Sequence, residues 1–439
     1  MQGERKTLTQ LSVPICLETL FYMLSGMVDT LMLSSVSDQA VGAVGTANTY
    51  IGVFIIMFGV ISSGMVAVMS QNIGAGRPGI AYQARQLGLV FNALTGILMS
   101  VVLAVFSGGI LRAVSIAPAL LESAETYLKI VGGASFLNAL IPIFSSYLRV
   151  FGYTKHSLIG TVVGNVINII LNSVFLFVFH WGVMGVATAT VISKVVNLII
   201  VAAMGAVLIK AKQSPERAQP RRILAQIVKI GFPSVFETAL YNVAMTFIVC
   251  FMNHMDTDGM NVTARSYAMQ IANFSYCVGA ALAQANAIMT GWRIGAKKYE
   301  ECDRGTRKAV IYGLVTATCF SVTFAITGRF IVHIFTNDIQ MIELVVKLLV
   351  VDIFLEFGRV TNLVYGQALK TSGDAIFPVI MGAIFMYLFV VGGTYFLGIH
   401  MGLLAVGAYI AMAGDECARA VGMVLRWKSG KWKSKSLVE

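Results

Sequence analysis

The residues able to do chemistry are acids and amides set inside apolar sequence. The stretch Leu8–Ser34, LTQLSVPICLETLFYMLSGMVDTLMLS, carries Pro14, Glu18 and Asp29. It is long enough to cross a bilayer, for which about 20 apolar residues suffice. An ionised carboxylate in hydrocarbon costs a few kcal/mol or more, so these side chains must face protein or water. Asp29 lies in the outer half of the run. It reads either as a carboxylate snorkelling to the outer interface or as a titratable group facing a cavity. The run 157–179 favours the cavity, because Asn165, Asn168 and Asn172 fall at i, i+3 and i+7, one helical face. Three amides in one apolar helix need hydrogen-bond partners. Thr188, Thr190 and Ser193 add hydroxyls in the run 183–209. A carboxylate, an amide face and hydroxyls make a cage for a proton or a small cation; helix–helix glue is the alternative role for the asparagines. Lys194 either pairs with a carboxylate such as Glu18 or stabilises the fold.

A second charged set lies further on. Asp352, Glu356 and Arg359 sit at i, i+4 and i+7, with Glu356 and Arg359 placed to pair along a helix. Glu237, Asp415, Glu416 and Arg419 join them. Ionisable residues inside a membrane are functional candidates by default. An internally neutralised network holding a helix bundle together accounts for them as well.

The elements that must position these groups are helices. The chain has 439 residues, 57% hydrophobic and 12% charged, with mean hydropathy +0.78. A soluble protein carries about 25% charged residues. The apolar runs are continuous, whereas a membrane barrel alternates over about 10 residues. Spans are expected near 9–34, 42–70, 86–111, 123–149, 157–179, 183–209, 224–252, 263–292, 309–336, 342–369, 375–397 and 402–426. Twelve is even, so both termini share a side. Alternate connections and the two tails hold 24 of the 32 Lys and Arg, counting Arg149 and Lys370 with the connections, and Arg112 and Arg265 fall on the other face. The positive-inside rule makes the rich side, and both termini, cytoplasmic. It also accounts for the net charge of +11 without a nucleic-acid partner. The six cysteines show no CxxC spacing and read as small buried hydrophobes. The first run is too long for a signal peptide. No phosphate-binding loop, HExxH or CxxC cluster appears, so no enzyme or cofactor is expected. Transport would draw on an ion gradient unless a separate ATPase subunit supplies the energy.

The longest polar connection, AKQSPERAQPRR at 211–222, reads as an exposed linker. It divides an N-lobe (1–210) from a C-lobe (223–427), which a basic tail (428–439) follows. The halves repeat at an offset near 220. Pro14/Glu18 matches Pro233/Glu237, Gly74-Ala75 matches Gly295-Ala296, and Glu125/Lys129 matches Glu343/Lys347. Leu148-Arg149 with Gly152 matches Leu369-Lys370 with Gly373, and Gly185 matches Gly407. Six spans per half gives two lobes of the same orientation related by a pseudo-twofold axis along the membrane normal, an arrangement that places the substrate route between the halves.

These residues resemble a known family. VDTLMLSSVSDQAVGAVG after Pro14, SQNIGAGR, GNVINIILN, GVATATVIS, GFPSVFE, YGQALKTSGD and GDECARAVGMVLRWKSGKW together resemble the multidrug and toxic compound extrusion (MATE) transporters over essentially the whole chain. The bacterial branch with the DNA-damage-inducible F-type members is the most similar. The resemblance implies two six-helix lobes in a V, exporting drugs by proton or sodium antiport. It implies that Asp29 is the ion-coupling carboxylate of the N-lobe, with Asn168 and Thr190 as its amide and hydroxyl. Glu237 is implied as the C-lobe carboxylate of some members, and Pro14 as the bend of the first helix. Two departures stand out. Asn172 occupies the place of a second N-lobe aspartate, which leaves one negative charge and a weaker Na⁺ site, since hard cations prefer more charged oxygens. Arg359 occupies the place of a C-lobe aspartate.

The reading is therefore an all-α polytopic protein of a prokaryotic cytoplasmic membrane. It would be a monomeric antiporter that exports cationic, amphipathic drugs or toxic metabolites by alternating access in exchange for H⁺, or less readily Na⁺. A flippase of lipid-linked cargo is one alternative. An exporter of an anionic metabolite, with Lys194 and Arg359 lining the path, is another. Methionines (22) and aromatics (10%) suit a pliable drug surface, but they serve equally as core and lipid-facing residues.

Overall fold

In a computed structural model that describes residues 6–113, 116–255 and 259–438, the chain is helical and, among those residues, without strands. In order the helices are α1 (Leu8–Ser34), α2 (Asp38–Gly74), α3 (Pro78–Val105), the short α4 (Ser107–Ala113), α5 (Pro118–Tyr127), α6 (Phe136–Val150), α7 (Thr154–Ser173) and α8 (Gly182–Leu208). They are followed by α9 (Pro220–Met255), α10 (Met260–Gly295), α11 (Tyr299–His333), α12 (Ile339–Ser372), α13 (Ile376–Phe385) and α14 (Leu404–Lys428). Wide π-turns extend α5, α7 and α13. α5 and α6 form one bent crossing, with 42° between them at the Gly132/Gly133 break. Each of the twelve expected spans thus has a helical counterpart.

Local chemistry starts these helices. Thr7 and Gln10 form a capping box on α1, Ser37 caps α2 through the Ala40 amide, and Asp338 caps α12. Pro14 cannot supply the amide that would bond the Gln10 carbonyl. The Thr154 hydroxyl donates to that carbonyl instead, at 3.3 Å.

Among the described residues, eight helices are long and apolar enough to cross a membrane, or nine if the bent α5–α6 pair is one span. α10, α12 and α14 are long but too polar for that test. They pack on one another, and Arg265, Asp352, Glu356, Asp415, Glu416 and Arg419 are buried in protein. At Gly358 of α12 a Cβ would stand 2.6 Å from the Cys417 amide nitrogen of α14, so only glycine permits that approach.

Contacts divide the chain into two units, Met1–Gly231 and Phe232–Glu439, and the division falls inside α9. The 211–222 segment ahead of it is pinned to unit 1. The Gln83 amide donates to the Ala218 carbonyl at 2.8 Å and accepts from the Ala218 amide at 3.1 Å. Each unit has its own apolar core. The repeat also reaches the backbone. Left-handed residues recur as Gly76 and Lys297, Gly152 and Gly373, His180 and Gly402, and Gly182 and Leu404, always 221 or 222 positions apart. Lys297 and Leu404 keep a conformation that costs a side chain about 1–2 kcal/mol, so the turn belongs to the repeat and not to a local glycine.

The basic tail is docked. Trp432 is 1% exposed, stacks on Trp427 at 4.2 Å and donates its indole N–H to the Trp427 carbonyl. Gly373, at φ +100°, lies against the Lys435 carbonyl. Asp374, in the turn between α12 and α13, accepts from Arg426 at 2.7 Å and Lys435 at 2.8 Å. Burial alone would raise its carboxyl, but those two cations hold it below the usual range. A carboxyl depressed by docking stabilises the docked state above its free value of about 3.9, and that contribution is lost as pH falls through the docked value. Docking is therefore complete at neutral pH. Asp374→Asn should reproduce the acid state at pH 7 and remove the exciton couplet of the Trp427–Trp432 stack in circular dichroism. An unchanged couplet in that variant would contradict the clamp.

Candidate functional site

Each unit holds a cavity with polar and charged side chains on its wall. In unit 1 the cavity is about 590 Å³ and is walled by α1, α2, α5, α6, α7 and α8. Asp29 faces it from α1, Asn48 from α2 and Tyr127 from α5, with Asn165 and Asn168 from α7 and Thr190, Ser193 and Lys194 from α8. The asparagines share one face of α7, as their spacing predicts, and that face turns towards α1. Asn172, fully buried, donates Nδ2 to Asp29 Oδ1 at 2.6 Å and to Asn168 Oδ1 at 3.3 Å. Both amide hydrogens are thereby used, and the first bond is the short kind made to a charged acceptor. Asn172 Oδ1 is buried with no partner among the described residues. Asn165 donates to the Phe21 carbonyl at 2.6 Å and so ties α7 to α1. The Thr190 hydroxyl lines the cavity but donates to the Val186 carbonyl of its own helix at 2.8 Å.

Glu18 and Lys194 do not pair. Glu18 is 7% exposed and bound to Arg149 at 2.7 Å, with the Ser157 hydroxyl donating to the same oxygen at 3.0 Å. Lys194 instead donates to Asn138 Oδ1 at 2.9 Å. Arg149, counted above with the basic connections, is therefore the last turn of α6 turned inwards. Lys370 is the matching correction in unit 2: it lies in α12 and binds Glu237 at 2.5 Å. The two ion pairs join residues that the repeat equates, which spacing alone did not bring together. Arg265, read as an outer-face residue, is 7% exposed inside α10.

The unit 2 cavity is about 490 Å³. Glu237, Tyr241, Tyr276, Asp352, Arg359 and Glu416 are on its wall. Arg359 binds Glu356 closely and reaches Glu416 at 3.8 Å; its guanidinium lies 5.7 Å from the Tyr276 ring centre. Arg419 binds Asp415 at 2.5 Å and Glu416 at 3.0 Å, and Asn362 donates to Glu416 at 2.9 Å. Arg359, Glu416 and Arg419 thus form one network across α12 and α14 with Asp415 and Glu356, which lie behind the wall, while Glu237 pairs with Lys370. Asp352 stands apart: it is 3% exposed and on the wall, and it makes no ion pair within 4 Å among the described residues. Neither unit gathers three His, Cys, Asp or Glu in metal-holding geometry among the described residues. Tyr127, Asn48 and Asn138 went unnoticed in the sequence, since a lone tyrosine or asparagine in an apolar run carries no periodic signal.

Comparison with known proteins adds to this geometry. The sequence model of the MatE family matches the chain twice, at residues 14–174 and 233–396, once per repeat. The chain is 32% identical over 437 residues to "Uncharacterized transporter YisQ" of Bacillus subtilis, covering 98% of this chain and 96% of that protein. It is 26% identical over 456 residues to "Probable multidrug resistance protein NorM" of Thermotoga maritima, covering 99% and 94%. A solved structure described as MATE in the straight conformation superposes with a TM-score of 0.89 at 20% identity, covering 99% of this chain and 98% of that one. Fold, repeat and sequence agree: the chain is a multi-pass membrane transporter and belongs to the MatE family.

Proposed function

We propose that the chain is a monomeric multidrug exporter of a prokaryotic cytoplasmic membrane, exchanging cationic amphipathic compounds for protons by alternating access, with Asp29 as the coupling group and both termini in the cytoplasm. The observation that carries this is the Asp29 carboxylate on a cavity wall, held by Asn172, whose carbonyl oxygen has no partner among the described residues. Ionised Asp29 accepts the Asn172 N–H. Protonated Asp29 becomes a donor, and the Asn172 amide can then rotate to offer its idle oxygen, releasing Asn168. One proton thus changes the contacts between α1 and α7. A cationic substrate and a proton compete for the same carboxylate, and that difference in preference is what coupling requires. A single carboxylate favours H⁺ over Na⁺. The multidrug-resistance name of the Thermotoga relative supports the substrate class.

The test is ethidium efflux from de-energised cells expressing the chain, under an imposed pH gradient or an imposed Na⁺ gradient. Efflux driven by the pH gradient alone is expected. Efflux driven only by Na⁺ would overturn the choice of ion, and no efflux under either gradient would overturn the substrate class.

A further inference from the structure

We propose that Lys194 Nζ and Asn138 Nδ2 form an anion-accepting subsite of the unit 1 cavity, which takes the carboxylate of a zwitterionic substrate whose cationic end faces Asp29. The proposal rests on the exporter reading above and specifies its substrate.

Three observations support it. Lys194 lines the cavity from the middle of α8 and makes no ion pair within 4 Å among the described residues. An ammonium carries three donors, and the bond to Asn138 Oδ1 uses one. The same Asn138 amide lines the cavity, but its Nδ2 is closed off and without a partner among the described residues, so it reaches an acceptor in the cavity only when the amide turns, while the other two Lys194 donors meet no acceptor among those residues. Burial of such donors is costly unless an acceptor arrives.

The second observation is the charge left over. Four charged side chains reach this wall: Glu18, Asp29, Arg149 and Lys194. Glu18 and Arg149 neutralise each other at 2.7 Å. Asp29 and Lys194 remain as separate opposite charges on α1 and α8. A molecule with a cationic and an anionic end matches that pair, whereas a simple cation leaves Lys194 uncompensated.

The third comes from the repeat. The Gly152/Gly373 turn and the Leu148-Arg149/Leu369-Lys370 match set an offset of 221 for α6, and the turns from His180/Gly402 onwards set 222 for α8. Asn138 therefore corresponds to Arg359, and Lys194 to Glu416. In unit 2 these counterparts also meet, at 3.8 Å, but Glu356, Arg419 and Asn362 close the network around them. One copy of the same helix contact is internally neutralised. The other leaves a cation without a counter-ion in contact.

Two dyes that differ in one group test this. Rhodamine 110 carries a free carboxylate on a cationic xanthylium, and rhodamine 123 is its methyl ester. Binding of each to the purified full chain is followed by fluorescence anisotropy at neutral pH with no gradient. Lys194→Gln should weaken rhodamine 110 by about tenfold, the scale of one charge-assisted hydrogen bond, and leave rhodamine 123 within about twofold; Lys194→Arg should retain most of the rhodamine 110 binding. Asn138→Asp places a counter-ion beside Lys194, so it should lose rhodamine 110 selectively while the thermal midpoint holds or rises. Equal weakening of both dyes, no change in either, or a wild type that does not prefer the free carboxylate would each overturn the subsite. Failure of the exporter reading shows elsewhere, as absence of proton-driven efflux, because dye binding here involves no gradient.

Discussion

Asp29→Asn is expected to abolish proton-driven dye efflux while the protein still folds, inserts and binds dye. The substitution is nearly isosteric. The new amide still presents a carbonyl oxygen to Asn172, so the α1–α7 contact at 2.6 Å survives. What is lost is titration. An amide offers the same face at every pH, so a proton gradient has nothing at this position to act on, and the Asn172 amide has no reason to rotate. A ligand shifts an equilibrium only by its differential affinity for the two states. With that difference removed, a coupling of about 1–3 kcal/mol, or roughly 5–150-fold, disappears. Efflux from proteoliposomes under an imposed pH gradient should fall to the leak of empty vesicles, with the thermal midpoint within a few degrees of wild type. A wild-type rate in the mutant would remove Asp29 from the mechanism, and a rate lost together with folding would make it structural.

Much of this site was legible in the sequence because one helix holds much of it. Asn165, Asn168 and Asn172 declare a common face through period alone, and an apolar context makes any carboxylate conspicuous. The repeat was readable from Pro14/Glu18 against Pro233/Glu237, and the left-handed turns carry it into the backbone. Pairing across helices was not readable. Glu18 and Arg149 are far apart in the chain, as are Glu237 and Lys370. Charge counting placed both basic partners in loops, because the rule sums over helix ends without knowing which way a last turn points. The docking of the tail was not readable either. Four of the five basic residues between 426 and 435 are exposed, as charge alone suggests, yet Trp432 and the Asp374 clamp hold the segment down. The charges of α12 and α14 could be read as functional or as structural, and only their mutual distances separate these roles.

Those distances make Arg359→Met the test of a structural network. Arg359 stands between Glu356 and Glu416 with 17% of its side chain exposed, and the Glu356 side chain is 1% exposed. Removing the guanidinium leaves a buried carboxylate whose nearest charged neighbours are other carboxylates. Breaking a buried pair from one side costs about 3–5 kcal/mol, because the remaining charge is uncompensated. For a unit of this size that amounts to a drop in thermal midpoint on the order of 10 °C. Arg359→Met combined with Glu356→Gln removes the stranded charge, and it should recover more than half of the loss even though two native interactions are then missing. Additive destabilisation in the double variant would show that the two residues do not act as a pair. Unit 1 supplies the contrast that gives this result its meaning. Lys194 occupies the position equivalent to Glu416 but makes no ion pair within 4 Å among the described residues, and Asp29, the opposite charge on the same wall, keeps its own bond from Asn172, so Lys194→Gln should lower the midpoint much less. A large fall for Arg359 and a small one for Lys194 would show that the repeat has kept one helix contact for two purposes, a closed charge network in the second unit and an open cation in the first.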